Sequence, residues 1–254
     1  MEPRYSNPFV KEAILRVDLS PAIDVNDEIV EGPFAAANSA RFPNVEPRVQ
    51  AGQEFQFGPE GMSTKEVEKR EWRLLGGDRK RRLVLAEGAL IASCKEYSGW
   101  SELRQDFVTA LDSLVGIFPD MQITRLGVRY VNFVSLQEAN PFVWREWIDS
   151  RLTGPLEFPD DPRRITRSMH ILQLEYPDGF QLKYQFGLPN PDFPAPVKQK
   201  HFVMDLDASA SRILTVADVK KLLDPMHEAI KELFESSITD GLRGKMGVVA
   251  LGSE

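Results

Sequence analysis

The sequence predicts an α+β protein in which antiparallel sheets are covered by helices. Three observations carry that expectation. Apolar runs are joined by tight-turn residues at Gly76-Gly77-Asp78, Glu87-Gly88 and Pro177-Asp178-Gly179, the signature of hairpins. Two long segments, one from Gly99 to Phe118 and one opening at Thr215, carry apolar residues at spacings of three and four, as amphipathic helices do. Strands come in blocks before each helix, not in alternation with helices, which separates α+β from α/β.

Taken in order, Glu12–Leu19 alternates as a strand and is stopped by Ser20-Pro21. A stretch rich in Pro, Asn and Ala follows to Gly52, with Pro33, Pro43 and Pro47 as breakers and room for a short helix. Gln53–Phe57 reads as a short strand or extended edge. Trp72–Leu75 and Arg82–Leu85 form a hairpin, and Ala89–Cys94 adds a third strand. The Gly99–Phe118 helix places Trp100, Leu103, Phe107, Leu111, Leu114 and Phe118 inward. Glu102, Gln105, Asp106, Thr109 and Asp112 take its wet side, Ser98 can cap it, and Pro119-Asp120 ends it. A further helix is expected over Pro141–Leu152, then a loop over Gly154–Arg164. Met169–Tyr176 and Phe180–Leu188 pair as a hairpin. A proline-rich connection (Pro189 to Pro196) leads to a strand over His201–Asp207. The last helical region starts with a capping-box pattern, Thr215-Val216-Ala217-Asp218. Pro225 predicts a break or kink in it; beyond it Met226, Ile230, Leu233, Phe234 and Ile238 face inward. Residues 71–135 and 169–250 thus each read as strands followed by one long helix. The expected organisation is one unit over residues 1–254, with similar lobes at 1–150 and 151–254 as its internal division.

Composition narrows the function classes. The apolar share of 42% and charged share of 27% over 254 residues are those of an ordinary globular protein. A net charge of −7 argues against a chain that coats nucleic acid. The single cysteine, Cys94, fits a reducing compartment and allows no intramolecular disulfide. The first residues lack the apolar stretch of a signal peptide, and no apolar run approaches the roughly 20 residues that cross a bilayer. The expected location is the cytoplasm, with no membrane contact.

The candidate site is the strand Arg125-Leu126-Gly127-Val128-Arg129-Tyr130-Val131-Asn132-Phe133. It reads as buried, yet alternation puts Arg125, Gly127 and Arg129 on one face. Buried guanidinium groups need carboxylates or a bound anion, and Gly127 would let a ligand approach the backbone. Arg125, Gly127, Arg129, Tyr130 and Asn132 are therefore the candidate ligand-binding residues, for phosphate or carboxylate. Asp205 and Asp207, on one strand face, are candidate partners for the arginines.

Other features favour structural uses. Arg79-Lys80-Arg81-Arg82 lies at a turn and Arg163-Arg164 with Arg167 in a loop, with no nucleic-acid motif beside them. His170, His201 and His227 show no metal-ligand spacing, so no metal or cofactor is expected. No serine sits in a nucleophile elbow, Cys94 reads as a packed core thiol, and no catalytic residue is assigned. Phe9, Tyr97, Trp100, Trp144, Trp147 and Phe193 are candidates for the core or for a partner interface.

Asn7-Pro8-x-x-x-Glu12-Ala13, Tyr97-x-Gly99-Trp100, Arg125-Leu126-Gly127-x-Arg129-Tyr130-x-Asn132 and His227-x-x-Ile230-x-x-x-Phe234-x-x-x-Ile238-Thr239 occur in that order. Together they resemble a sporadically distributed bacterial family of uncharacterised proteins of about this length. The resemblance implies no activity, cofactor or catalytic residue. It implies only the patchy occurrence of accessory genes, antiphage and toxin–antitoxin functions among them. The expected function is a cytoplasmic binding or interaction module that works through a protein partner, a second copy of itself or a small anionic ligand. The alternatives are an enzyme that processes nucleotides or nucleic acid, and an accessory subunit of a defence or toxin–antitoxin system.

Overall fold

Hairpins account for most of the strands. The computed structural model describes residues 4–58, 61–137 and 140–249. In chain order its elements begin with β1 (Arg4–Tyr5), β2 (Val10–Ser20), and the short helices α1 (Asp27–Ile29) and α2 (Ala35–Asn38), joined by a π-type turn. Then come β3 (Asn44–Gly58), β4 (Gly61–Leu75), β5 (Arg81–Ala86), β6 (Ala89–Cys94) and helix α3 (Trp100–Ile117). The second half holds β7 (Gln122–Leu136), α4 (Ser150–Glu157), β8 (Ser168–Tyr176), β9 (Phe180–Leu188), β10 (Lys200–Leu214), α5 (Val216–Ser237), α6 (Asp240–Met246) and β11 (Val248–Val249). β1 pairs with β11. The other nine strands form one antiparallel sheet in the order β3-β4-β5-β6-β2-β7-β10-β9-β8.

That order contains a repetition of elements. A strand (β2), a helical insertion, three hairpin-linked strands (β4, β5, β6) and a long helix (α3) are followed by β7, α4, then β8, β9, β10 and α5. In the sheet the first set reads β4-β5-β6-β2 and the second, reversed, reads β7-β10-β9-β8. β8 corresponds to β4, and β3 is the additional strand that pairs with β4.

The chain forms two compact units, and they interleave along the sequence instead of dividing near residue 150. The first takes residues up to Ala13, Val128–Ser209, and Asp224 onward. Its core holds Trp144, Tyr184, Phe202, Leu206, Met226 and Ile230. The even-numbered side chains of β9, and those of β10 from Lys200 to Ala208, are buried there, and the Tyr184 hydroxyl donates to Ser237 Oγ of α5 at 2.9 Å. The second unit takes Ile14–Gly127 and Ala210–Leu223. Leu103, Phe107, Ala110, Leu111 and Leu114 of α3 are buried at the expected spacing, with Phe34, Phe42, Trp72, Leu83 and Leu85 in the same core. Each such Leu or Phe side chain stabilises the unit by about 1.5–3 kcal/mol relative to exposure.

Several expectations are corrected. Pro47 does not break the chain: it lies inside β3 opposite Trp72. β3 ends the sheet order, where a proline's missing N–H can face away from the ladder. The β3–β4 hairpin is far longer than the sequence suggests, because residues 63–70 carry no apolar alternation. Ser98 does not cap α3; Gly99 holds that position and the Ser98 hydroxyl donates to Glu102. No helix occupies 141–148; the Trp144 indole donates to the Pro141 carbonyl at 2.8 Å in a turn. Helix α4 starts only after Asp149, whose carboxylate accepts from Arg151 N, and it runs through Pro155. Helix α5 likewise continues through Pro225. Burial of Leu222, Leu223, Met226 and Ile230 around that position offsets the roughly 3 kcal/mol that an internal proline costs.

Candidate functional site

Strand β7 alternates as read, but its buried face is the other one. Leu126, Val128, Tyr130, Asn132 and Val134 are buried, while Arg125, Arg129, Val131 and Phe133 are half-exposed. An antiparallel sheet with one wet face produces this pattern. The arginines therefore stand on the partly solvated face and not in the interior.

Each candidate residue has an intramolecular partner. In the first unit Arg129 makes a two-pronged pair with Asp205, Nε to Oδ1 at 2.8 Å and Nη2 to Oδ2 at 2.6 Å. The hydrogen bond to Asp205, together with the charges of Asp205, Asp207 and Glu12, holds the guanidinium pKa above its ordinary value. The Tyr130 hydroxyl lies 3.1 Å from His227 Nδ1 of α5, and Asn132 Nδ2 donates to the Met204 carbonyl at 3.3 Å. Both bonds are buried, on the face of β7 opposite Arg129. In the second unit Arg125 approaches Asp18 at 3.8 Å, and Asp18 also accepts from Arg16 at 2.6 Å. A side chain at Gly127 would meet the Arg125 guanidinium at 3.1 Å. The space that glycine leaves is used by this arginine. Alternation and hydrogen bonding thus divide the five residues, and Tyr130 and Asn132 do not share a ligand surface with Arg129.

The remaining candidates are also placed. The basic turn is engaged piece by piece: Arg79 pairs with Glu46, Lys80 with Glu96 and Arg81 with Asp106, and Arg82 donates to the Ser93 hydroxyl. Arg163 pairs with Asp161, and Arg167 lies over the Phe193 ring at 4.5 Å. His170 bonds Ser168 and stacks on Phe186, while His201 packs on Phe133. Among the described residues no three His, Cys, Asp or Glu side chains gather as a metal site. Cys94 is buried. Trp144 belongs to the core, and Trp147 carries Lys245 over its ring at 4.5 Å. Among the described residues no helix is long and apolar enough to cross a membrane.

Two features were not foreseen. Asp106 is only 1% exposed, although its place beside the apolar stripe of α3 suggested the wet side. Arg41 and Arg81 both bind it, and burial pushes its carboxyl pKa up against their pull. The second is β8. It ends the sheet order, and Met169, Ile171 and Leu172 are 40%, 59% and 44% exposed. Glu175 is the only Asp, Glu, Lys or Arg among its nine residues. The sequence signal was present in adjacent Ile171-Leu172, which puts apolar groups on both faces of one strand. Its position at the end of the sheet was not legible.

The architecture defines the class, an α+β protein built on a nine-stranded antiparallel sheet. No protein-family model matches the chain, and neither a curated protein nor a solved structure is similar to it.

Proposed function

We propose that this chain is a binding or interaction module that recognises a protein strand along β8 and acts through that partner instead of through chemistry of its own. The observation that carries the reading is the exposed apolar terminal strand. Every second residue of such a strand turns its N–H and C=O away from the ladder, a template for another strand. Proteins that do not use an edge blunt it with charge, proline or a bulge. β3 is blunted in this way by Glu46, Pro47 and Arg48. β8 has neither proline nor lysine, and its register with β9 runs without a bulge from Ser168↔Leu188 to Tyr176↔Phe180. Strand addition supplies main-chain hydrogen bonds, and alternate side chains supply specificity.

A small anion at the arginines is the weaker reading, because Arg129 already holds a carboxylate in the geometry an anion would need. The test is a displayed library of extended peptides selected against the full chain and re-assayed against Ile171→Lys. Binding lost in the variant, with the fold retained by circular dichroism, supports recognition at β8. Binding that ignores the substitution, or turnover of a nucleotide abolished by Arg129→Ala, would contradict it.

A further inference from the structure

We infer that the strand received by β8 is β8 of a second copy, in an antiparallel pair about a two-fold axis at Leu172. The inference rests on the reading of β8 as the recognition surface and names its partner.

The element repeat shows what a completed edge looks like in this fold. β4, which corresponds to β8, carries the antiparallel neighbour β3. β8 ends the order instead. Geometry then restricts the register. Residues directly opposite in an antiparallel pair put their side chains on the same sheet face. Two identical strands meet that condition only when the axis passes through a residue. Leu172 is the middle of the nine, and an axis there pairs all of them. Leu172 meets its own copy, Ile171 meets Gln173, His170 meets Leu174, Met169 meets Glu175 and Ser168 meets Tyr176.

Complete pairing of the nine residues selects this register over an axis at Ile171, which would set Arg167 opposite Glu175, and charge permits it. For a chain of net charge −7, self-association must keep its acidic groups apart. Glu175 falls opposite Met169, so the two Glu175 carboxylates are six positions apart, roughly 20 Å. That exceeds the screening length of about 8 Å at physiological salt. Arg167, exposed one residue before β8, falls opposite Pro177 of the second copy and beside its Asp178, also exposed. The axis repeats that opposite-charge approach at both ends. An axis shifted to Leu174 would bring the two glutamates to within two positions of each other and lose the arginine–aspartate approach.

Symmetric cross-linking tests the register. Opposed Cα atoms in an antiparallel pair are about 4.5 or 5.5 Å apart, within the range a disulfide spans. Leu172→Cys should therefore form a covalent dimer under mild oxidation. Met169→Cys, whose copies are roughly 20 Å apart in this register, should do so about tenfold more slowly or not at all. The one native cysteine, Cys94, is buried, which keeps the background of the parent chain low. Sedimentation of the unmodified chain over a dilution series should show a monomer–dimer equilibrium that Ile171→Lys shifts to monomer. Equal cross-linking at both positions, or a monomer at every concentration, would overturn the inference. If the monomer still captures strand-forming peptides through Ile171, the second copy is the wrong partner and the recognition reading stands. If Ile171→Lys changes neither assay, both fall.

Discussion

Arg129 and Asp106 show how this chain uses its charges. Arg129 is engaged by Asp205 through both prongs of its fork, on a partly solvated face. A double-mutant cycle between Arg129→Ala and Asp205→Ala should return a coupling of about 1 kcal/mol, the upper range for exposed pairs with good geometry. Nucleotides and phosphorylated metabolites should leave the melting temperature of the parent chain unchanged. A rise that Arg129→Ala removes would make the arginine a binding residue after all. Asp106 is a different case, because its carboxylate is enclosed between Arg41 and Arg81. Asp106→Ala should cost about 3 kcal/mol in denaturant unfolding, since it strands two guanidinium groups. The sequence made the Arg129–Asp205 pair readable, because both alternate on strands and opposite charges on one sheet face tend to meet. It hid Asp106, because the two arginines that bury it come from a loop after α2 and from β5, far away along the chain.

At the scale of single elements, local chemistry was the most legible part of the fold. The capping box of α5 forms as read: Thr215 N and its hydroxyl both donate to Asp218, and Asp218 N donates to Thr215 Oγ1. These bonds, the side-chain one first, hold the Asp218 carboxyl below its usual pKa. A depressed folded-state pKa gives stability that is present above the unfolded carboxylate value, about 3.9, and lost as pH falls through the folded value. Asp218→Asn should therefore be less stable than the parent chain at neutral pH, and the gap should narrow below about pH 4. Thermal unfolding across that range measures it. Thr215→Ala should cost about 1 kcal/mol at neutral pH. Gly187 lies opposite Met169, at the end of the β8–β9 ladder away from its turn: its φ is +139°, and a Cβ there would lie 2.0 Å from the Ser168 carbonyl oxygen. Gly187→Ala should destabilise the first unit by about 1–3 kcal/mol, seen as a lower denaturation midpoint. Prolines misled the reading in strand and helix alike. Pro47 lies in a terminal strand and Pro155 and Pro225 lie in helices, since tertiary burial outweighs a local preference that a single sequence displays without its context.

For the whole molecule, a repeat of strands followed by one long helix was visible in the periodicities, but the leading strand and insertion of each set and the interleaving of the two units were not. It depends on β2, β7, β10 and α5 each contributing residues to both units, and no local signal encodes that. The same holds for β8. A run such as Met169-His170-Ile171-Leu172 reads as core until the strand order shows that, among the described residues, no strand follows it in the sheet. Its two apolar faces and single ionic residue would be an aggregation hazard unless something specific pairs with it. The proposed role of β8 therefore requires that it acquire a strand neighbour in solution. Amide hydrogen exchange over Ser168–Tyr176, followed from dilute to concentrated protein, measures this directly. Slowing at alternate β8 amides as concentration rises, abolished by Ile171→Lys, is the expected result. Exchange at those outward amides that stays fast at every concentration, with and without strand-forming peptides, would contradict it.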